Sequence, residues 1–241
     1  CMSVFMMLTH FRSPINTMHF VKVPRLPEMF GKIAANGFSS FIIDIAMGVL
    51  TMLFNRQIMR YLGSDDLAVY AVIVNISTFV QCCAYGVGQA AQPIISQNYG
   101  AGHSDRVSLL LRYSLISCAA ISAAWTAAVV ALPNGFIKLF MSPTAAVLAI
   151  APEIMRIYAV SFLLLPYNVF STYYFQAMLR PGTSIIISVS RGIVISGALI
   201  MLLPLILGSN SVWFAMPIAE AATAVYVTAS IAQVQKAFQK P

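Results

Sequence analysis

The chain has 241 residues, of which 59% are hydrophobic and 9% are charged, and its mean hydropathy is +0.83. Soluble domains carry about 25% charged residues, so the composition excludes an ordinary soluble protein and indicates a membrane protein. The formal net charge is +7, but the basic residues lie between apolar segments, which favours a role in membrane orientation and argues against nucleic-acid binding.

The first residues predict the end of a membrane helix. Residues 1–9 are mostly apolar and begin with Cys1, but they are far shorter than the about 20 residues that a span needs. They also lack the basic region and the cleavage site of a signal peptide. We therefore expect residues 1–9 to be the end of a truncated transmembrane helix and the chain to be a fragment. A polar, basic connector follows at residues 10–32.

Six apolar segments follow this connector, each about long enough to cross a bilayer as an α-helix. The predicted fold is an all-α integral membrane bundle over residues 33–241, with six transmembrane helices at about residues 33–55, 67–97, 113–132, 157–179, 184–207 and 212–234. A long connector at residues 134–156 separates the third span from the fourth. Pro166 predicts a kink or local unwinding in the fourth span.

The basic residues of the loops predict the orientation. Nine lie on the side of the first connector: Arg12, Lys22, Arg25, Lys32, Arg106, Arg112, Arg180, Lys236 and Lys240. Four lie on the other side: Arg56, Arg60, Lys138 and Arg156. The positive-inside rule places the first connector and the C-terminus in the cytoplasm. We predict a multi-pass protein of the plasma (bacterial inner) membrane, surrounded by lipid.

Two of the predicted spans carry a polar stripe. In the second span, polar residues recur at steps of three and four, which places them on one helix face: Asn75, Thr78, Cys82, Tyr85, Gln89, Gln92 and Ser96. The first span has a similar stripe of small and polar residues: Gly37, Ser40, Asp44, Gly48, Thr51 and Asn55. Polar groups are costly against lipid, so each stripe is expected to face a protein neighbour or a watery cavity. The candidate cavity-lining residues on these stripes are Ser40, Thr51, Asn75, Thr78 and Gln89.

The fourth span adds three candidate lining residues near its proline: Tyr167, Asn168 and Gln176. A transporter can use such side chains to bind ions or substrate at a broken helix. The alternative is that they form hydrogen bonds between helices.

Three ionisable residues lie inside the predicted spans: Asp44, Arg191 and Glu220. Each costs about 2.5–3.5 kcal/mol at a helix centre, so each needs a partner, a cavity or a function. In one interpretation a carboxylate exchanges H⁺ or Na⁺ against a substrate. For Arg191 and Glu220 the alternative is a structural ion pair between consecutive helices. Asp44 has no basic residue assigned to it, which favours a functional role.

Other kinds of site find no support in the sequence. The four cysteines show no metal-binding spacing, and the three histidines lie in predicted loops. No nucleophile and base stand at enzymatic spacing. The sequence therefore predicts neither a metal site, nor a cofactor, nor an enzyme, and leaves H⁺ or Na⁺ as the coupling ion.

Five sequence pieces carry a family resemblance. Residues 86–102 (GVGQAAQPIISQNYGAG) look like the signature in the second helix of the C-terminal lobe of MATE (multidrug and toxic compound extrusion) transporters. Four further pieces agree in order: residues 37–41 (GFSSF), 174–177 (YFQA), 190–192 (SRG) and 212–220 (VWFAMPIAE). The resemblance covers nearly the whole chain. It implies twelve helices in two six-helix lobes, of which this chain holds the second, with the N-terminal six-helix lobe as its missing partner.

The resemblance also implies a function. The family expels cationic, amphipathic drugs in exchange for H⁺ or Na⁺ by alternating access. Asp44 matches the position in helix seven where many members carry a Glu tied to cation coupling. Some members have another acid in helix ten, and near that position this chain has Asn168, which does not titrate. The alternatives are a flippase-type exporter of a lipid-linked or polysaccharide substrate and a non-transporting membrane fragment.

Overall fold

The computed structural model describes residues 2–12 and 26–238 and, within them, leaves out the side chains of residues 2, 3, 26, 32, 35–37, 39, 40, 42–44 and 237. All regular secondary structure in these two ranges is helical. The chain divides into two compact units, residues 1–34 and 35–241.

The first unit contains α1, Met2–Phe11, and the first residues of α2, Leu26–Tyr61. The apolar side chains at positions 4–8 of α1 are all more than half exposed, as expected for a helix that contacts lipid or protein. Helix α1 runs two residues past the predicted end of the helix tail. Of the predicted connector at residues 10–32, residues 13–25 lie outside the described residues, and the last seven already belong to α2.

The second unit contains the rest of α2 and eight further helices. They are α3 (Ser64–Gly100), α4 (Ser104–Ala131), α5 (Pro133–Phe140), α6 (Ala145–Ala159), α7 (Leu165–Ala177), α8 (Pro181–Val189), α9 (Ile195–Leu207) and α10 (Ala215–Phe238). Three segments of different helical pitch join them: a 3-10 turn at Val160–Leu163, a π turn at Ser190–Val194 and a 3-10 segment at Ser209–Phe214. Gly63, with φ of +137°, makes the tight turn between α2 and α3, a conformation that favours glycine.

Five stretches of the described residues are long and apolar enough to cross a membrane. They are Ser64–Gly100, Ser104–Ala131, Ala145–Ala177, Pro181–Leu207 and Ser209–Lys236. The shortest has 27 residues, whereas about 20 helical residues span the hydrocarbon core. The prediction of an all-helical membrane protein is therefore confirmed with five apolar span candidates. Helix α2, with 36 residues, is not one of them.

The fourth predicted span begins twelve residues earlier than the sequence pattern indicates. The predicted connector at residues 134–156 contains the short helix α5 and most of α6. Thr144 caps α6, because its Oγ1 accepts a hydrogen bond from the amide of Val147 at 3.2 Å. Three alanines in the next five residues favour the helix, but prolines and two nearby charges make the same segment look like a loop. Helix α4 likewise begins at Ser104, ahead of the predicted start near residue 113.

The predicted unwinding near Pro166 is confirmed. The 3-10 turn Val160–Leu163 interrupts the helix just before this proline, which lies in the first turn of α7. The backbone N–H groups of a first turn make no hydrogen bond within the helix, so a proline without an N–H is tolerated there. Eleven of the 13 residues of α7 are buried. It packs against α3, α4 and α8 and is the central helix of the second unit.

Two apolar clusters fill the second unit. The first is rich in aromatic rings: Phe54 stacks on Tyr70 with ring centroids 4.7 Å apart, and Tyr70 also contacts Trp213. The second includes Phe170 of α7 and Val227 of α10. Helices α7 and α10 contribute residues to both clusters. Polar residues of these helices that lie between the two clusters are therefore in the middle of the fold.

Candidate functional site

Two of the three ionisable residues predicted inside spans meet in the middle of the second unit. The Nε of Arg191 lies 2.7 Å from Oε1 of Glu220 and donates a hydrogen bond to it. The Glu220 residue is 0% exposed and Arg191 is 9% exposed. The two residues therefore form the buried ion pair that one interpretation of the sequence requires. Their role in cation coupling stays a prediction.

Asn168 completes this site from the central helix α7. Its Nδ2 donates to Oε2 of Glu220 at 2.6 Å and to the backbone carbonyl oxygen of Glu220 at 2.9 Å. Both carboxylate oxygens therefore accept a hydrogen bond from a nitrogen. We call Arg191, Glu220 and Asn168 the buried cluster. Its three members come from the π turn, α10 and α7, so it holds three elements together.

The π turn places Arg191 beside helix α2. A side-chain Cβ on Gly192 would lie 2.5 Å from the Cβ of Ala46, so only glycine fits at this crossing. The hydroxyl of Ser196 donates to the backbone carbonyl oxygen of Arg191, a group within the widened hydrogen-bond pattern of the π turn. Such turns occur frequently at functional sites.

A small cavity with a mostly apolar wall lies next to Arg191, and we call it the polar cavity after the seven polar residues among the 15 that line it. Its volume is about 40 Å³, room for one or two water molecules. Its polar lining comes from five elements and consists of Thr51, Tyr70, Ser77, Gln81, Tyr158, Ser188 and Arg191. The Nε2 of Gln81 donates to the hydroxyl of Tyr85. The Oε1 of Gln81 is buried and has no hydrogen-bond partner among the described residues.

The buried cluster is electrically neutral as a whole, since the positive charge of Arg191 faces the negative charge of Glu220. Removing two charges from water is costly, and such a pair is stable only when further hydrogen bonds saturate it. Asn168 supplies one of these bonds. Chemically, the arrangement offers a carboxylate whose two oxygens accept N–H donors, beside a guanidinium that also lines the adjoining cavity.

The predicted lining residues lie in three different places. Thr51 borders the polar cavity. The backbone of Ser40 and Asp44 lies in α2, but their side chains lie outside the described residues. The predicted lining residues of α3 are exposed on the surface of the second unit, and no described residue covers them: Asn75, Thr78 and Gln89.

The polar residues of α7 are engaged between helices. The hydroxyl groups of Tyr167 and Thr228 lie 2.9 Å apart. The Nε2 of Gln92 donates to Oε1 of Gln176 at 3.4 Å. These contacts correspond to the hydrogen-bonding alternative for this span, and a role in substrate binding stays a prediction.

The sequence pattern missed most of the cavity. Ser77 and Gln81 line it, whereas the predicted stripe on the same helix begins at Asn75 and follows the neighbouring face. The available signal was the i, i+4 spacing of these two polar residues, which places them together on a face of their own. Tyr158 and Ser188 carried no such signal, because their burial depends on the neighbouring helices.

No three His, Cys, Asp or Glu side chains of the described part of the chain come together as metal ligands would.

Comparisons with known proteins give a consistent result. A family model described as MatE matches residues 39–202. The fold is similar to that of an outward-facing multidrug resistance MATE family transporter of the MOP superfamily, with a TM-score of 0.86 and 17% identity over 99% of this chain and 54% of that chain. It is also similar to a MATE in complex with MaL6, with a TM-score of 0.83 and 17% identity over 100% of this chain and 55% of that chain. A third similar structure, a MOP superfamily transporter from Pyrococcus furiosus, also has a TM-score of 0.83 and 17% identity over 100% of this chain and 55% of that chain. The chain thus spans about half the length of these proteins. No curated protein sequence matches it.

Proposed function

Because the chain belongs to the MatE family, we propose that it is the C-terminal half of a secondary antiporter. The whole protein exports cationic, amphipathic compounds in exchange for H⁺ or Na⁺ by alternating access. In this proposal α2 is a sixth span, so that the chain supplies one six-helix lobe, and an N-terminal six-helix lobe is its partner. The substrate passes between the two lobes.

The observation that carries this proposal is the exposed polar face of α3. Asn75, Thr78 and Gln89 are exposed on a helix that is otherwise apolar enough to span a membrane. Polar groups at this depth are costly against lipid. A water-filled passage between two lobes accounts for them, and the remaining exposed residues of the other helices are mostly apolar, as contact with lipid requires.

The proposed location is the plasma membrane of a bacterium, with the C-terminus in the cytoplasm. The orientation is supported by the basic residues between and at the ends of the predicted spans. Nine basic residues lie on the side of the C-terminus and four on the other side, and the positive-inside rule assigns the richer side to the cytoplasm.

Asp44 is the proposed coupling carboxylate. It lies in α2, one helical turn before Met47 and two before Thr51, and both of these residues line the polar cavity. An ionisable residue inside a membrane span is a functional candidate by default. In the proposed cycle, the external cation loads Asp44 while the drug occupies the passage, and release of one favours binding of the other.

Substitution of this acid tests the function. We expect Asp44→Asn in the full-length protein to reduce coupled efflux of tetraphenylphosphonium from proteoliposomes to background, with insertion into the membrane unchanged. The control is Asp65→Asn, which removes the same charge from an exposed position at the start of α3 and should leave efflux unchanged. Efflux by the Asp44→Asn protein at the wild-type rate at every pH would remove Asp44 from the mechanism.

A further inference from the structure

We propose that Glu220 is a proton-binding site, and that a proton loads it when the Arg191 guanidinium moves from Glu220 into the polar cavity, where Gln81 accepts it. This inference rests on the proposed antiport and adds a second coupling site, with H⁺ as its ion. In the arrangement described above, the Nε of Arg191 donates to Glu220.

The ligands of Glu220 favour H⁺ over Na⁺. Both carboxylate oxygens accept hydrogen bonds from nitrogen donors, one from Arg191 and one from Asn168. A hard cation such as Na⁺ needs several oxygen ligands around it. Once Arg191 has left, the described group that still contacts the carboxylate is the Nδ2 of Asn168, a donor that gives Na⁺ no oxygen ligand. A proton needs only one lone pair of the carboxylate, so it is the cation that fits this site.

The cavity offers Arg191 a second position. Arg191 and Gln81 line the same space of about 40 Å³, and Oε1 of Gln81 is a buried acceptor without a partner among the described residues. A guanidinium has five N–H donors, so it can bond to Gln81 after it leaves Glu220. The move would satisfy an acceptor that is costly to bury unpaired.

The departure of Arg191 changes the preferred form of Glu220. A buried carboxylate without a counter-charge is strongly unfavourable, and the neutral acid replaces it. The step adds one proton from the aqueous phase to a carboxylate oxygen and breaks the hydrogen bond from Nε of Arg191. The charge of the buried cluster rises by one, and no oxidant or reductant takes part.

Asn168 is suited to both forms of the acid. In the described arrangement its Nδ2 donates to the carboxylate, and its Oδ1 is buried without a partner in the described part of the chain. A half-turn of the amide presents Oδ1 to the hydrogen of a protonated Glu220. An aspartate at this position would offer no N–H to the charged form.

Few other charges face Glu220. From α6, Tyr158 is close enough to interact electrostatically with both Glu220 and Arg191. From α7, the hydroxyl of Tyr167 forms a hydrogen bond with that of Thr228, which lies two turns beyond Glu220 on α10. The charged residues of α6 are exposed at its surface, and α8, α9 and the two 3-10 segments contain no ionisable residue. Arg191 is therefore the full charge that controls Glu220 among the described residues.

The π turn links this site to α2. Gly192 follows Arg191 directly and touches Ala46 without room for a Cβ. A shift of the turn as Arg191 changes partners would therefore press on α2, the helix that contains Asp44. Packed interfaces of this kind convert small local shifts into changes between two discrete arrangements.

Infrared difference spectroscopy tests proton binding directly. We expect the protonated-carboxyl signal that the full-length protein gains between alkaline and acidic pH to contain one band that is absent in the Glu220→Gln variant, while the bands of the other acids appear in both. A signal that is unchanged in Glu220→Gln, or a wild-type protein in which no such band forms, would overturn the inference.

The Gln81→Leu variant tests the second position of Arg191. It keeps both charges and their ion pair, so it answers the question even if Glu220→Gln fails to fold. Without the Gln81 acceptor, Arg191 stays on Glu220. The pH at which half of the Glu220 band has formed is then expected to fall by about one unit, which corresponds to about tenfold more protons. The matched control is Gln97→Leu on the exposed end of the same helix, which should titrate as the wild type does. Equal titration of Gln81→Leu and wild type would refute the role of the cavity.

Transport in proteoliposomes separates this inference from the proposed function. We expect a pH gradient to drive tetraphenylphosphonium transport and Glu220→Gln to abolish that drive. Transport by the wild type that follows only a Na⁺ gradient overturns the inference and leaves the antiporter standing. Absence of transport under either gradient overturns the proposed function, and the coupling role of Glu220 with it.

Discussion

The buried cluster and the exposed polar face of α3 satisfy their hydrogen bonds in opposite ways. In the cluster, Arg191, Glu220 and Asn168 bond to one another across three elements. On α3, the side-chain Nδ2 of Asn75 donates to the backbone carbonyl oxygen of Ala71, one turn earlier on the same helix. The hydroxyl of Thr78 donates in the same way to the carbonyl oxygen of Val74. Cross-helix bonds fix the packing of the lobe. Bonds within one helix leave that face free to meet water, substrate or another lobe.

The largest expected effect comes from removal of one charge of the buried cluster. We expect Arg191→Met to destabilise the full-length protein by about 3–5 kcal/mol, because Glu220 loses its counter-charge and must either stay charged in a buried site or take up a proton there. Thermal or denaturant unfolding in detergent measures this loss.

A double substitution provides the control for this effect. Arg191→Met combined with Glu220→Met removes both charges and replaces them with apolar side chains, so it should recover most of the lost stability. If the double variant is as unstable as the sum of the two single variants, the pair is not the source of the destabilisation.

A smaller effect is expected at the contact between the π turn and α2. Gly192→Val places new atoms where a Cβ alone would lie 2.5 Å from that of Ala46, and overpacking of this kind costs about 1–3 kcal/mol. The same unfolding measurement detects it. Ala46→Gly in the Gly192→Val background should restore part of the loss, and an unchanged loss would mean that the two positions do not meet.

The sequence predicted much of the buried cluster and little of the cavity. Arg191 and Glu220 are of opposite charge in neighbouring apolar segments, so the cost of burying either alone was enough to suggest their pairing. Ser77 and Gln81 differ from the residues of the predicted stripe only in the direction they face. That direction depends on how α3 packs against α2 and α6, which the periodicity of one helix does not contain.

The start of α6 shows the same limit at the level of the fold. Its cap at Thr144 and its alanines are local signals for a helix. Pro152 and two nearby charges are local signals against it. The helix forms because its apolar residues, among them Val147 and Met155, are buried in the first apolar cluster, and this tertiary contribution outweighs the weak local preference.

The smallest stability effect is expected on the polar face of α3. Thr78→Val removes a hydroxyl that bonds to its own helix at an exposed position, so it should change the free energy of unfolding by less than about 0.6 kcal/mol. Unfolding of the full-length variant measures this. A loss as large as that expected for Arg191→Met would show that this face packs against protein as tightly as the buried cluster does.

Native cysteines sharpen the contrast, since Cys82 lies exposed on this face and Cys118 is buried. In a passage between lobes, Cys82 meets water and should react with a membrane-impermeant maleimide in at least one state, while Cys118 should not react. The matched control is Leu205→Cys, at a position that is 66% exposed on the apolar surface of α9. Lipid should shield this cysteine thiol from the reagent. If Cys82 reacts no faster than this lipid-facing control in any state, the face of α3 lies in lipid or dry packing, and its polar groups depend on their own helix alone.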